Sequence, residues 1–397
     1  MPSIEERGEV LGRAQARKMA RSSHAFVRGN TVQFYEWLES LESSRLPQGP
    51  PVWICGDCHV GNLGPIADTA GDIRIQIRDL DQTVIGNPAH DLIRLALSLA
   101  SAARGSNLPG VTTARMLEAI VEGYESAFDR DFDESDDNIE LPTAVQVVIK
   151  RASKRTWKHL ARERIEDTQP DIPLGKRFWA ASDEEREAIT RLFEDQTVRR
   201  LATMVRSRDD AAEVEVIDCA YWMKGCSSLG RLRYAVLLRV TDPSGESDLC
   251  LMDIKEAITA AAPSYSDVAM PSDDAHRVVE GARYTSPLLG ERMRATRLLN
   301  RSVFVRELMP QDLKIEIETL TRKDATRAAR FLATVVGFAH ARQMDTATRV
   351  AWRAELHRNR SQALDAPSWL WTSVVELLVS HEGAYLEHCR RYALTPS

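Results

Sequence analysis

Two short clusters carry the side chains best suited to chemistry. In Gly56-Asp57-Cys58-His59-Val60-Gly61-Asn62 an aspartate and an asparagine stand five residues apart on a turn that follows a short apolar run. Asp79-Leu80-Asp81 sets two more carboxylates behind a second such run. Phosphoryl transfer uses this combination. One carboxylate orients a hydroxyl and accepts its proton, while an amide and another carboxylate hold magnesium against phosphate oxygens. Magnesium takes oxygen donors and keeps several waters, so few protein ligands suffice. A metal-dependent phosphohydrolase built on Asp57, His59, Asp79 and Asp81 is the competing enzyme reading. Cys55 and Cys58 form a C-x-x-C, which could be a redox pair or half of a zinc site. No second pair of ligands accompanies it, so the plainer expectation is two small residues flanking a catalytic turn.

These clusters need elements to hold them. Val52-Trp53-Ile54 reads as a short buried strand. Ile73, Ile75 and Ile77 alternate with Arg74, Gln76 and Arg78, which is the period of a strand. DLIRLALSLASAARG starts with the acidic Asp91 and continues at helical spacing. Residues 1–48 and 110–210 read as mostly helical. The basic run KRASKRTWKHLARER within the second stretch is expected to be a solvated helix face, although it could also grip an anionic substrate. From about Glu213 the pattern changes to three strands, separated by a glycine turn and by Asp242-Pro243-Ser244-Gly245. A loop follows, then HRVVEGARYTSPLLGERMRATRLLN, read as partly helical. SVFVREL is one further strand, and helix returns from about Thr319.

GDCHVGNLG resembles the catalytic loop of aminoglycoside phosphotransferases and choline kinases, whose pattern is G-D-x-H-x-x-N. RDLDQTVIGNPAHDL is similar to their metal-binding segment, in which an Asp is followed twelve residues later by an Asp that opens a helix. The resemblance implies that Asp57 is the catalytic base, that Asn62 and Asp79 are magnesium ligands, and that Asp81 is an alternative or additional ligand. It also implies that Asp91 bonds the backbone of the catalytic loop and that His59 braces it. In such enzymes a nucleotide-binding lobe precedes this loop, yet only about 48 residues do so here, and they look helical. The lobe is expected later in the chain. Lys224-Gly225-Cys226-Ser227-Ser228-Leu229-Gly230 sits between two strands as a phosphate-covering loop would, with Gly225, Ser227, Ser228 and Gly230 as contacts. Lys255 ends a strand as a phosphate-pairing lysine does. Glu280, 25 residues on, would hold it in an ion pair, and Arg306, Glu307 and Leu308 would meet adenine.

The expected fold is therefore α+β: a two-lobed, protein-kinase-like fold in circularly permuted order. Its expected parts are a catalytic portion at 1–212, a nucleotide-binding antiparallel sheet at 213–310 and a helical return at 311–397. Permutation is physically cheap where the original termini lie close together. The whole chain also resembles a bacterial family of unknown function, numbered 2252. MARSSHAFVRGN, CGDCHVGNLG, RDLDQTVIGNPAHDLIRLALSLA, KGCSSLGRLRYAVLL, DIKEA, RVVEGAR and FAHARQ carry that resemblance. Its glycine loop usually has another glycine where Cys226 or Ser227 stands. Arg28, His340 and Arg342 also match it and are expected near the cleft, as substrate contacts or as structural ion pairs.

The expected cofactors are ATP and Mg2+, and the expected acceptor is a hydroxyl of a small molecule or protein. The alternatives are AMP transfer by the same metal residues and a nucleotide-binding pseudokinase that regulates a partner. A formal net charge of −6 argues against a dedicated nucleic-acid binder, which needs a basic face. No apolar run approaches the roughly 20 residues a membrane helix requires, and the charged N-terminus lacks a secretory core, so a cytoplasmic protein is expected.

Overall fold

The computed structural model describes residues 4–42, 45–106, 108–129, 141–155, 171–175, 177–223, 230–311, 313, 315, 321–357 and 367–392. Three helices open the chain: α1 (Ile4–Met19), α2 (Ser23–Gly29) and α3 (Thr31–Glu39). Ser22 and Asn30 cap α2 and α3 by accepting from Ala25 N–H and Gln33 N–H. β1 (Val52–Ile54) follows, then the β2 (Leu63–Ala67) and β3 (Ile73–Ile77) hairpin, then β4 (Val84–Gly86). β1 pairs antiparallel with β4, so the two chemistry-bearing clusters leave and re-enter one small framework. α4 (Pro88–Gly105) is capped by Asn87 and has proline at its first position, where a missing N–H costs nothing. Almost every residue of α4 up to Ala103 is buried, as its apolar composition requires.

α5 (Gly110–Ser126) and α6 (Thr143–Ser153) complete the first helical part. Next come β5 (Phe178–Ala180), α7 (Asp183–Leu192), α8 (Gln196–Thr203), β6 (Glu213–Trp222), β7 (Arg233–Thr241) and β8 (Ser247–Glu256). α9 (Asp274–Thr285), α10 (Pro287–Glu291), β9 (Met293–Leu298) and β10 (Arg301–Glu307) lead into α11 (Arg322–Ala341), α12 (Thr346–Leu356) and α13 (Ser368–Tyr392). The larger core joins β1, α4, α5, α11, α12 and α13. α5 and α11 approach closely because Gly123 offers no Cβ: one built there would lie 2.1 Å from Arg330 O.

The second unit is a six-stranded antiparallel sheet in the order β5-β6-β7-β8-β10-β9. Alternation divides its residues between two faces. Tyr234, Val236, Met252, Ile254, Val303 and Val305 pack with Leu11 and with apolar residues of α7 and α8. Arg233, Asp253, Lys255, Phe304 and Arg306 share the opposite face, as the register Arg233↔Lys255, Lys255↔Phe304 and Asp253↔Arg306 dictates. The protein is thus a mixed α and β structure with small antiparallel sheets, as expected.

Two boundaries differ from the sequence reading. The sheet begins outside 213–310, at Phe178, because Phe178 and Trp179 stack on Trp222 and Tyr221 across the β5–β6 pair. β9 lies in a stretch read as partly helical. Leu299 and Asn300 both take positive φ, 49° and 59°, and so close a two-residue hairpin that returns the chain as β10. Among the described residues, no helix is long and apolar enough to cross a membrane.

Candidate active site

The turn after β1 is built around Gly56. Its φ is +75°, and a Cβ there would lie 2.1 Å from Gln82 O, so the position admits only glycine. Asp91, fully buried in the first turns of α4, accepts from Cys55 N–H at 2.7 Å and Gly56 N–H at 3.0 Å. Asp91 also meets His340 Nε2 at 3.2 Å. His340 Nδ1 lies 2.9 Å from Tyr124 Oη, which accepts from Trp352 Nε1 at 3.1 Å. This buried chain ties the turn to α5, α11 and α12. The backbone-bonding role expected of Asp91 is what the geometry has. His340 is wholly buried in the same network, so of its two expectations the structural contact with a carboxylate is the one found.

Asp57 follows, 8% exposed, with Oδ1 accepting from Arg94 Nε at 2.9 Å and Oδ2 3.8 Å from His59 Nε2. Burial raises the Asp57 carboxyl above its ordinary pKa, and Arg94 partly offsets that rise. Arg94, completely buried on α4, also donates to Val27 O at 2.7 Å. The sequence reading passed over Arg94, which looks like one more polar residue on an amphipathic helix. A guanidinium three residues after Asp91, on a helix otherwise uncharged from Leu92 to Ala103, was the available signal. Asn62 closes the turn by donating Nδ2–H to Asp57 O at 3.0 Å. Arg28 lies against the same turn: a Cβ on Gly61 would be 2.7 Å from its Nη2.

Across the cleft, Lys255 at the end of β8 reaches Asp79 Oδ1 at 3.1 Å and also pairs with Asp81 Oδ2. Burial would raise Asp79, but Lys255, Arg306 and Arg233 override it and hold this carboxyl well below the usual range. Asp81 moves the other way, raised by burial and by the charge of Asp79. A second ionic layer stands behind: Arg233 grips Asp253 through two bonds of 2.8 and 2.6 Å, and Arg306 donates to Arg78 O at 3.0 Å. Asp57, Asn62, Asp79 and Asp81 line one cavity of about 290 Å³, together with Thr31, Gln82, Arg231 and the segment 258–261.

Several expected residues fall elsewhere. Gly225, Ser227 and Ser228 lie outside the described residues; Gly230, with φ +94°, is at the end of that turn. Glu280 does not pair with Lys255. It faces outward on α9 and pairs with Arg283 at 3.3 Å, because the inward face of that helix carries Arg277 instead. Arg277 donates to Thr83 O, to Asp81 O at 3.2 Å and to Ile258 O at 2.8 Å, docking α9 onto the acidic loop through carbonyls. The stretch expected to meet adenine is engaged within the protein. Leu308 N–H is spent on Leu251 O at 2.8 Å, and Glu307 is buried against Arg208 at 2.9 Å. Arg306 turns into the cleft, because strand alternation puts it on the Lys255 face. Cys55 and Cys58 are buried beside Asp91, with their ligand atoms and its own all within 4.8 Å. Both Asp91 oxygens are already bonded to backbone, and contact with Cys58 together with burial holds the Cys55 thiol well above its ordinary range. Both cysteines are packed under the turn.

Fold and site together define a mixed α and β protein with a cleft where a buried lysine from an antiparallel sheet meets a carboxylate cluster on a helical body. The chain belongs to a bacterial family: the family described as an uncharacterized protein conserved in bacteria (DUF2252) matches residues 7–391. No curated protein and no solved structure matches it.

Proposed function

We propose that the protein is an ATP- and magnesium-dependent phosphotransferase acting on a hydroxyl of a small molecule or protein, with a kinase-like, circularly permuted arrangement of its two units. The observation that carries this reading is Lys255 spanning the cleft to Asp79 and Asp81 beside a cavity shared with Asp57 and Asn62. A lysine facing a carboxylate pair across a cleft is the arrangement that phosphates and their metal enter together.

The donors fit magnesium. Asn62, Asp79 and Asp81 offer oxygens to one cavity, and Asp81 Oδ1 is a buried atom with no hydrogen-bond partner among the described residues. Those three residues would hold the ion, which when bound neutralises charge on the phosphate oxygens. Lys255 then trades carboxylate partners for phosphate oxygens. Asp57 orients the acceptor hydroxyl and takes its proton as the new oxygen–phosphorus bond forms and the bond to the β-phosphate breaks, releasing ADP. Arg94 holds Oδ1 of Asp57 and leaves Oδ2 for that proton. A hydrolase reading leaves Lys255 and its sheet without work.

The test is incubation with ATP labelled in the γ- or the α-phosphate. Transfer of the γ label to an acceptor supports the proposal. Transfer of the α label would replace it with AMP transfer on the same residues, and retention of both labels with tight binding would indicate a nucleotide-sensing pseudokinase.

A further inference from the structure

The cavity contains a cation that the phosphotransferase reading leaves without work. Arg231 follows the glycine turn directly and lines the cavity with Asp57, Asn62, Asp79 and Asp81. Its backbone is clamped. Gly230 turns the chain with φ +94°, Tyr221 Oη donates to Arg231 O at 2.7 Å, and Leu232 N–H donates to Glu256 Oε2 at 2.8 Å. Glu256 N–H in turn donates to Leu232 O at 2.8 Å. Residues 231–232 are thereby fixed to β6 and β8, and the guanidinium is presented to the cleft from a rigid base.

The charges at this site are otherwise matched. Arg94 serves Asp57, and Lys255 serves both Asp79 and Asp81. Among the described residues the guanidinium of Arg231 makes no hydrogen bond or close ion pair, although its charge acts on Asp81. If a divalent cation settles on Asp79 and Asp81, Lys255, only 2% exposed, loses its counter-charge. A buried ammonium without a partner is costly, so the metal must arrive with an anion. Two cations, Lys255 and Arg231, then face that anion from the sheet side. A planar guanidinium with five donors grips phosphate oxygens directly.

We propose that Arg231 is a polyphosphate-binding residue of this cleft, gripping the nucleotide's phosphates from the sheet side. This rests on the phosphotransferase reading. It names a residue that neither the resemblance nor the sequence reading placed in the site.

The experiment is calorimetric titration of the full chain, Arg231→Ala and Arg231→Lys with Mg·ATP and with adenosine. Arg231→Ala is expected to weaken Mg·ATP roughly ten- to a hundredfold, the range for a charge-assisted hydrogen bond, while adenosine binds as to the parent. Arg231→Lys should recover part of the loss, because it keeps the charge and forfeits the fork. Equal Mg·ATP affinity in parent and Arg231→Ala overturns the inference and leaves the phosphotransferase reading standing. A parent that ignores Mg·ATP overturns both. Parallel weakening of adenosine and Mg·ATP would mark general damage to the cleft, and it too counts against a phosphate contact.

Discussion

Asp57 and Asp79 look alike in sequence and differ in what surrounds them. Asp79 meets Lys255 and Arg306, which hold its carboxyl well below the usual range; Asp57 meets Arg94, with His59 and Thr31 beside it, and burial raises its carboxyl. If the proposed chemistry holds, Asp79→Ala leaves the triphosphate charge poorly neutralised and nearly abolishes tight ATP binding. Asp57→Ala leaves nucleotide affinity largely intact and lowers turnover at least a hundredfold, on general-base grounds. Calorimetry of both variants, with and without magnesium, measures the split. The pH dependence has a definite sign. On the proposed chemistry Asp57 acts as base only when ionised, so kcat/KM is expected to fall as pH drops through its pKa. Burial puts that pKa above the ~3.9 of a free aspartate. Arg94 lowers it, so Arg94→Met should move the acid limb of the kcat/KM profile to higher pH.

At the scale of elements, α9 is the informative case. Its sequence offers Glu280 as a partner for Lys255, and the structure turns Glu280 outward and Arg277 inward. Three residues apart, the two lie close together around the helix, so periodicity does not choose between them; only the docking of α9 against the acidic loop decides which one turns inward. Glu280→Ala should therefore leave activity within a few-fold of the parent, since an exposed i,i+3 pair is worth under about 0.5 kcal/mol. Arg277→Ala removes three carbonyl contacts from a buried group and should lower kcat/KM at least tenfold through misplacement of Asp81. The turn after β1 gives a stability counterpart. Asp91→Ala strands two buried N–H groups and should cost roughly 2–5 kcal/mol, read from urea unfolding.

At the scale of the molecule, the site is assembled from parts far apart in the chain. Lys255 and Asp79 are separated by 176 residues. A ligand held by both sides should clamp the sheet to the helical body. Saturating Mg·ATP is expected to raise the melting temperature, by about 2.7 kcal/mol of stabilisation at a hundred times its Kd, and ATP with a chelator should not. Thermal melts under the two conditions check this directly.

What the sequence determined by itself was local. The D-x-H-x-x-N spacing, the alternating isoleucines of β3 and the helical spacing after Asp91 each reflect a constraint acting within a few residues. The turn, its carboxylates and the strands around it were therefore legible. So was the antiparallel character of the later sheet, because period-two patterns and turn residues are also local signals. The tertiary structure alone decided which charges meet. Arg94 serving Asp57, Arg277 replacing Glu280, Leu308 N–H closing onto Leu251 and Arg231 left facing the cavity all depend on how separate elements pack. An ion pair between distant residues leaves no periodicity in either segment. Strand β5 and the β9–β10 hairpin escaped for a related reason. A three-residue strand is defined by its aromatic partners on β6, and a hairpin built on Leu299 and Asn300 carries no glycine to announce it.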